Sequence, residues 1–201
     1  VFAFVVFLAA GTQSKAAVNM GVKQTGAGSS YVDLAWDAQL GAGHYHTQFS
    51  QDGKNWIDMD NSSSPSESVY NLTQGASYYA RVVAYKGSHY TGTHVMIGVS
   101  ETAIVSTKPT EVSGLTQTAA GVNSVSMSWN ASAGAASYVI YGYINYNWTQ
   151  IGTSATNSAT ITGVAATTST RFSVAAVKNV TGGTVTGDQC SGVEMKAIRL
   201  K

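Results

Sequence analysis

Between Val32 and Trp36 the chain alternates strictly: Val32, Leu34 and Trp36 are large and apolar, while Asp33 and Ala35 between them are charged or small. A period of two puts every second side chain on one face, the mark of a strand with one buried side. Val125, Met127 and Trp129 repeat the pattern. A further alternating run, Tyr78, Ala80, Val82 and Ala84, is echoed by Thr170, Phe172, Val174 and Ala176. No stretch of comparable length has helical spacing. Asp52-Gly53 supplies a turn signal, because glycine accepts the positive φ that a tight hairpin demands. With such signals about every eight to twelve residues, the pattern predicts an all-β sandwich fold.

The same unit is written twice. VKQTGAGSSYVDLAWDA, from Val22 to Ala38, returns as LTQTAAGVNSVSMSWNA from Leu115 to Ala131, with Gln24, Thr25, Gly28, Val32 and Trp36 matched by Gln117, Thr118, Gly121, Val125 and Trp129. Trp36 and Trp129 stand 93 positions apart, as do Tyr45 and Tyr138, whereas Trp56 and Trp148 stand 92 apart. The hairpin between tyrosine and tryptophan is therefore one residue shorter in the second copy. Each copy has about the length of a small β-sandwich. The expected organisation is a leading segment 1–16, a first domain 17–107 and a second domain 108–201, joined at the SerThrLysProThr run from Ser106 to Thr110.

Both copies resemble fibronectin type III domains. The likeness rests on a tryptophan in the second strand (Trp36, Trp129), a tyrosine opening the third (Tyr45, Tyr138), and LTQGASYYARVVAY, Leu72 to Tyr85, which is similar to the family's leucine-to-tyrosine corner and sixth strand. It runs from about Ala17 to the C-terminus and implies two tandem immunoglobulin-like sandwiches. In the second copy Val164 aligns with Leu72, and Thr170 stands where Tyr78 stood. The resemblance then implies that this copy lacks the phenolic hydrogen bond of the corner and is the less stable. The wording VSGLTQT through SVSMSWNASAGAASYVIYGY resembles repeats on exported proteins of Gram-positive bacteria. The loop Lys86 to His94 lies where some relatives display Arg-Gly-Asp, but it lacks that tripeptide, and Thr186-Gly187-Asp188 only approaches it.

Composition narrows the role. Charged residues are 10% of the 201, against about a quarter usually, and eleven Lys plus Arg against ten Asp plus Glu leave a formal +1. Without a basic run there is no electrostatic footprint for nucleic acid. Val1 to Ala10 is apolar but half the length of a bilayer span, which needs about twenty residues, so no stable membrane span is expected. Ser14 and Ala16 suit signal-peptidase cleavage before Ala17, which makes residues 1–16 a signal-peptide remnant and the protein secreted or displayed at the cell surface. The rival expectation is a donated strand, with self-assembly through residues 1–10 onto a neighbour's open sheet edge. A start without methionine and an end at Lys201 are expected of a segment of a longer protein. Cys190 is alone, so no intrachain disulfide forms, and burial as a small apolar side chain is expected. The sequons at Asn61, Asn71, Asn130, Asn147 and Asn179 matter only in a eukaryotic secretory pathway.

The candidate chemistry is binding. The acids are scattered, and no nucleophile, base and orienter set, phosphate loop or metal signature emerges, so neither catalysis nor a cofactor is expected. YVIYGYINYNW, Tyr138 to Trp148, holds five aromatics. If Tyr138 faces the core, so do Ile140 and Gly142, while Val139, Tyr141 and Tyr143 face out. Tyr138 and Trp148 then read as framework, and Tyr141, Tyr143 and Tyr146 as the ligand-binding candidates. A flat aromatic patch stacks on sugar rings or docks a protein partner; the plainer reading is tyrosines covering their own sheet. All four histidines fall in the first copy: His44 and His46 on the outer face of the third strand, His89 and His94 in or beside a loop. Neutral imidazole is a good zinc ligand, but the H-x-H pair is a weak signal, and solvated surface histidines are expected rather than a metal site at His44, His46 and His94. These features give a non-catalytic spacer or adhesion module, with direct recognition of polysaccharide or protein, or a fibre subunit, as alternatives.

Overall fold

The alternating segments are strands in a computed structural model that describes residues 17–88, 94–166 and 169–198. Among these residues there is no helix, and so none long and apolar enough to cross a membrane. The chain divides into two compact units, the change along the sequence falling between Val105 and Ser106.

In the first unit β1 (Ala17–Val18), β2 (Lys23–Ala27), β3 (Val32–Ala35), β4 (His44–Ser50), β5 (Ile57–Ser62), β6 (Ser66–Val69), β7 (Ser77–Lys86), β8 (Val95–Ser100) and β9 (Ala103–Ser106) form two sheets. One has the order β2-β3-β6, the other β1-β8-β7-β4-β5 with β9 also on β7. In the second unit β10 (Thr116–Gly121), β11 (Ser124–Ser128), β12 (Ser137–Ile144), β13 (Asn147–Ser154), β14 (Ser158–Thr162), β15 (Thr170–Val180), β16 (Gly183–Thr186) and β17 (Val193–Met195) repeat the plan. Their sheets run β10-β11-β14 and β13-β12-β15-β16, with β17 on β15. Three strands face a larger sheet in each unit, the immunoglobulin-like arrangement of the fibronectin type III kind. Among the described residues the short leading strand β1, parallel to β8, has no counterpart in the second unit.

Period two explains each core. Val32, Leu34 and Trp36 meet Tyr45, Phe49, Ala80, Val82 and Ala84 in the first; Val125, Met127 and Trp129 meet Tyr138, Ile140, Phe172, Val174 and Ala176 in the second. The duplicated pairs are held alike. Trp36 lies edge-on to Tyr45 with centroids 5.4 Å apart, and Trp129 to Tyr138 at 5.3 Å. Each phenol oxygen accepts a backbone N–H six residues earlier, Tyr45 from Gln39 and Tyr138 from Ser132, both at 3.0 Å. Cys190 is buried, as its small apolar character implies.

One irregularity sets the outer faces. Between Thr47 and Gln48 the pairing of β4 with β5 skips Met59, and between Ile140 and Tyr141 the pairing of β12 with β13 skips Ile151. Such a bulge leaves one extra residue on the bulged strand and shifts the register beyond it. Met59 and Ile151 both tuck against their cores.

Candidate functional site

The bulge at Ile151 moves Trp148 to the outside. An unbroken ladder would set Trp148 opposite Ile144 on the core-facing side; instead it pairs with Tyr143. It is 36% exposed, so the framework role expected for Trp148 is corrected: it belongs to the outer face. Its ring meets that of Tyr143 at 5.2 Å, edge-on. Arg171 of β15 holds its guanidinium carbon 6.0 Å from the indole centroid, and Gly192 passes beneath, where an added Cβ would come within 2.7 Å of the ring. Arg171 in turn pairs in register with Glu194 of β17. Tyr141 lies one step along the same face, half-buried, opposite Gln150 and Ser173.

Tyr146 stands apart at the tip of the β12–β13 hairpin. Asn145 and Tyr146 both have positive φ, 49° and 66°, the signature of a two-residue type I′ turn between Ile144 and Asn147. Asparagine suits that geometry; tyrosine, whose Cβ crowds the left-handed conformation, does not. Its side chain is 90% exposed. The three tyrosines expected at the site thus divide: Tyr143 joins Trp148 in one aromatic surface, Tyr141 flanks it, and Tyr146 projects from the turn.

The first unit uses the equivalent face differently. Arg81 sits 4.1 Å over the Trp56 ring, its Nε donates to Gln48 Oε1 at 2.8 Å, and Gln48 Nε2 donates to Asp58 Oδ1 at 2.6 Å. The indole there is capped by a guanidinium held in a polar chain. Burial lowers the Arg81 pKa, while the nearby Asp58 charge works the other way.

His44 is not the solvated surface group the sequence leads one to expect. His44 is only 2% exposed. Its ring stacks on Tyr85 at 5.2 Å and 10°, its Nδ1 lies 2.9 Å from the Gly87 carbonyl, and its Nε2 lies 3.1 Å from His94 Nδ1. Gly43 allows this approach, since a Cβ there would run into the Gly87 carbonyl. His46 is half-buried beside them, and His89 lies outside the described residues. Tyr85 is held above the ordinary tyrosine range, first by burial and then by the Asp58 carboxylate. Sequence reasoning misplaced Trp148, which it read as framework, and missed Arg171. Only the bulge, invisible in the spacing, reveals the first.

No family model matches the chain, and no curated protein matches it. Among solved structures it is similar to the chicken CNTN1 FN1-FN3 domains, with 13% identity, TM-score 0.49, and coverage of 91% of this chain and 68% of that one. A two fibronectin type-III domain segment from chicken tenascin shares 17% identity at TM-score 0.43, covering 88% of this chain and 97% of that one. A structure titled FN3tt mut shares 20% identity at TM-score 0.40 over 46% of this chain and 100% of that one.

Proposed function

We propose that the chain is a non-catalytic adhesion module of an exported protein, in which the second sandwich binds carbohydrate through the outer face of β12 and β13. The observation that carries this reading is the contiguous Tyr143–Trp148 pair, an indole and a phenol in edge-on contact on the outer face with Arg171 at the margin. Rigid aromatic rings offer much contact area at little entropic cost, and a sugar's apolar face stacks on them. Tyr146 supports the reading, because a bulky residue in a strained, solvent-facing turn position contributes nothing to the core. Export is supported by the apolar run Val1 to Ala10 and the small residues Ser14 and Ala16. N-terminal sequencing of secreted material starting at Ala17 is the expected result, and a chain starting at Val1 would refute cleavage there.

The deciding experiment is pull-down of the whole chain on cell-wall and plant polysaccharides, beside the Tyr143→Ser, Trp148→Ser double variant. Retention by the parent and loss in the variant is the expected outcome. Undiminished retention in the variant removes the platform and leaves the spacer reading, in which the two sandwiches only separate other parts of a larger protein. The fibre alternative rests on residues 1–10, outside the described residues; uniformly monomeric particles in electron micrographs would remove it.

A further inference from the structure

We propose that His44, His94 and His46 of the first sandwich form a binding site for a borderline divalent transition-metal ion, with zinc or nickel as its type. The Gly87 carbonyl can only accept, so the Nδ1 of a neutral His44 must carry the proton that it donates there, 2.9 Å away. That fixes the tautomer and leaves the His44 Nε2 lone pair aimed at His94 Nδ1, 3.1 Å off. A metal-ligating histidine commonly has this arrangement, one ring N–H held by a backbone carbonyl and the other nitrogen turned to the ion. The metal-free contact is then an imidazole-to-imidazole hydrogen bond, with His94 Nδ1–H donating.

Spacing favours an ion in place of that proton. With metal to nitrogen bonds of about 2.0–2.1 Å, two tetrahedral nitrogen ligands lie about 3.3 Å apart and their ring centroids about 5.2 Å apart. The His44 and His94 centroids are 5.1 Å apart, His44 and His46 5.4 Å, and His46 and His94 6.3 Å. The first two spacings match that value, while the third is longer, so His46 is the ligand that has to reorient. Among the described residues no three donor side chains converge as the rings now lie, so the site is assembled on binding. On binding, the His94 proton passes from Nδ1 to Nε2, both facing lone pairs go to the metal, and no net proton is released from two neutral rings. Water completes the coordination. Tyr85, stacked on His44 and 4.9 Å from the His46 ring centroid, walls the site on one side. The ion would tie β4 to the residue preceding β8.

The test is titration of Zn²⁺, then Ni²⁺, into the chelator-dialysed whole chain, by calorimetry and by nitrogen-15 NMR of the histidine rings. The expected result is one ion per chain, with the His44 Nε2 and His94 Nδ1 resonances moving together. His94→Gln, at an exposed position that leaves the core intact, is expected to weaken binding at least tenfold, and His46→Gln by a smaller factor. Equal affinity in parent and His94→Gln, or ring shifts confined to other nitrogens, overturns the site.

Discussion

Cys190 Sγ accepts the backbone N–H of Val174 at 3.3 Å, and in the first sandwich Ser100 Oγ accepts the N–H of Val82 at 2.8 Å. The lone thiol therefore fills a backbone-satisfying post that a hydroxyl fills in the sister copy. Both acceptors are buried, and an unmet buried donor costs about 1–3 kcal/mol. Cys190→Ser is accordingly expected to change the stability of the second sandwich by less than about 1 kcal/mol, and Cys190→Ala to lower it by about 1–3 kcal/mol. Urea unfolding of both variants checks this; equal losses would show that the sulfur only fills space.

Trp129 and Trp148 should part company on mutation. Trp129 is 3% exposed at the centre of its core, so Trp129→Ala is expected to cost about 3–5 kcal/mol. Trp148 is 36% exposed on the outer face, where it touches Tyr143 edge-on and lies against Gly192 and Arg171. Trp148→Ser should therefore cost clearly less than Trp129→Ala and leave the sandwich folded while polysaccharide retention falls. A comparable loss of stability from the two changes would return Trp148 to the framework.

Tyr146→Gly relieves the left-handed strain of the hairpin tip and is expected to raise stability by about 1 kcal/mol. Thermal unfolding reads that gain. If the residue serves recognition, polysaccharide retention drops in the same variant, and a stabilised protein with full retention would strip Tyr146 of that role.

Asp52 is held well below the usual carboxylate range by the backbone N–H of Asn55 first, then by that of Lys54, the Asn55 side-chain amide and the Ser50 hydroxyl. A depressed folded pKa means that its stabilising contribution is full above the unfolded carboxylate value of about 3.9 and fades as pH drops through the lower folded value. Carboxyl carbon NMR should find Asp52 still ionised at about pH 3, and a midpoint near 3.9 would contradict the turn geometry.

The Trp36/Tyr45 and Trp129/Tyr138 frames were legible because burial on one sheet face imposes a period that both copies share. Trp148 was not legible, because one extra residue, Ile151, reverses which face the positions of β13 before it, Asn147 to Gln150, meet. His44 was placed on the outer face by alternation, yet its burial depends on Tyr85 of β7 and on His94, the residue before β8, which leave no local signal. The tyrosines of β12 could be assigned a side from the sequence, but which of them share a surface is decided by cross-strand pairing.

At the rim of the larger sheet of the second sandwich runs β13, Asn147–Ser154, with one neighbour only, β12, among the described strands. Its sequence, NWTQIGTS, has no lysine, no proline and no acid, the devices that ordinarily stop one sheet from growing onto another. The corresponding β5 carries Asp58 and Asp60. Crowding at high protein concentration is therefore met unequally by the two halves, and side-by-side stacking into insoluble ribbons has its natural starting point at this uncharged margin, which only the bulge at Ile151 guards, beside the rings of Tyr143 and Trp148.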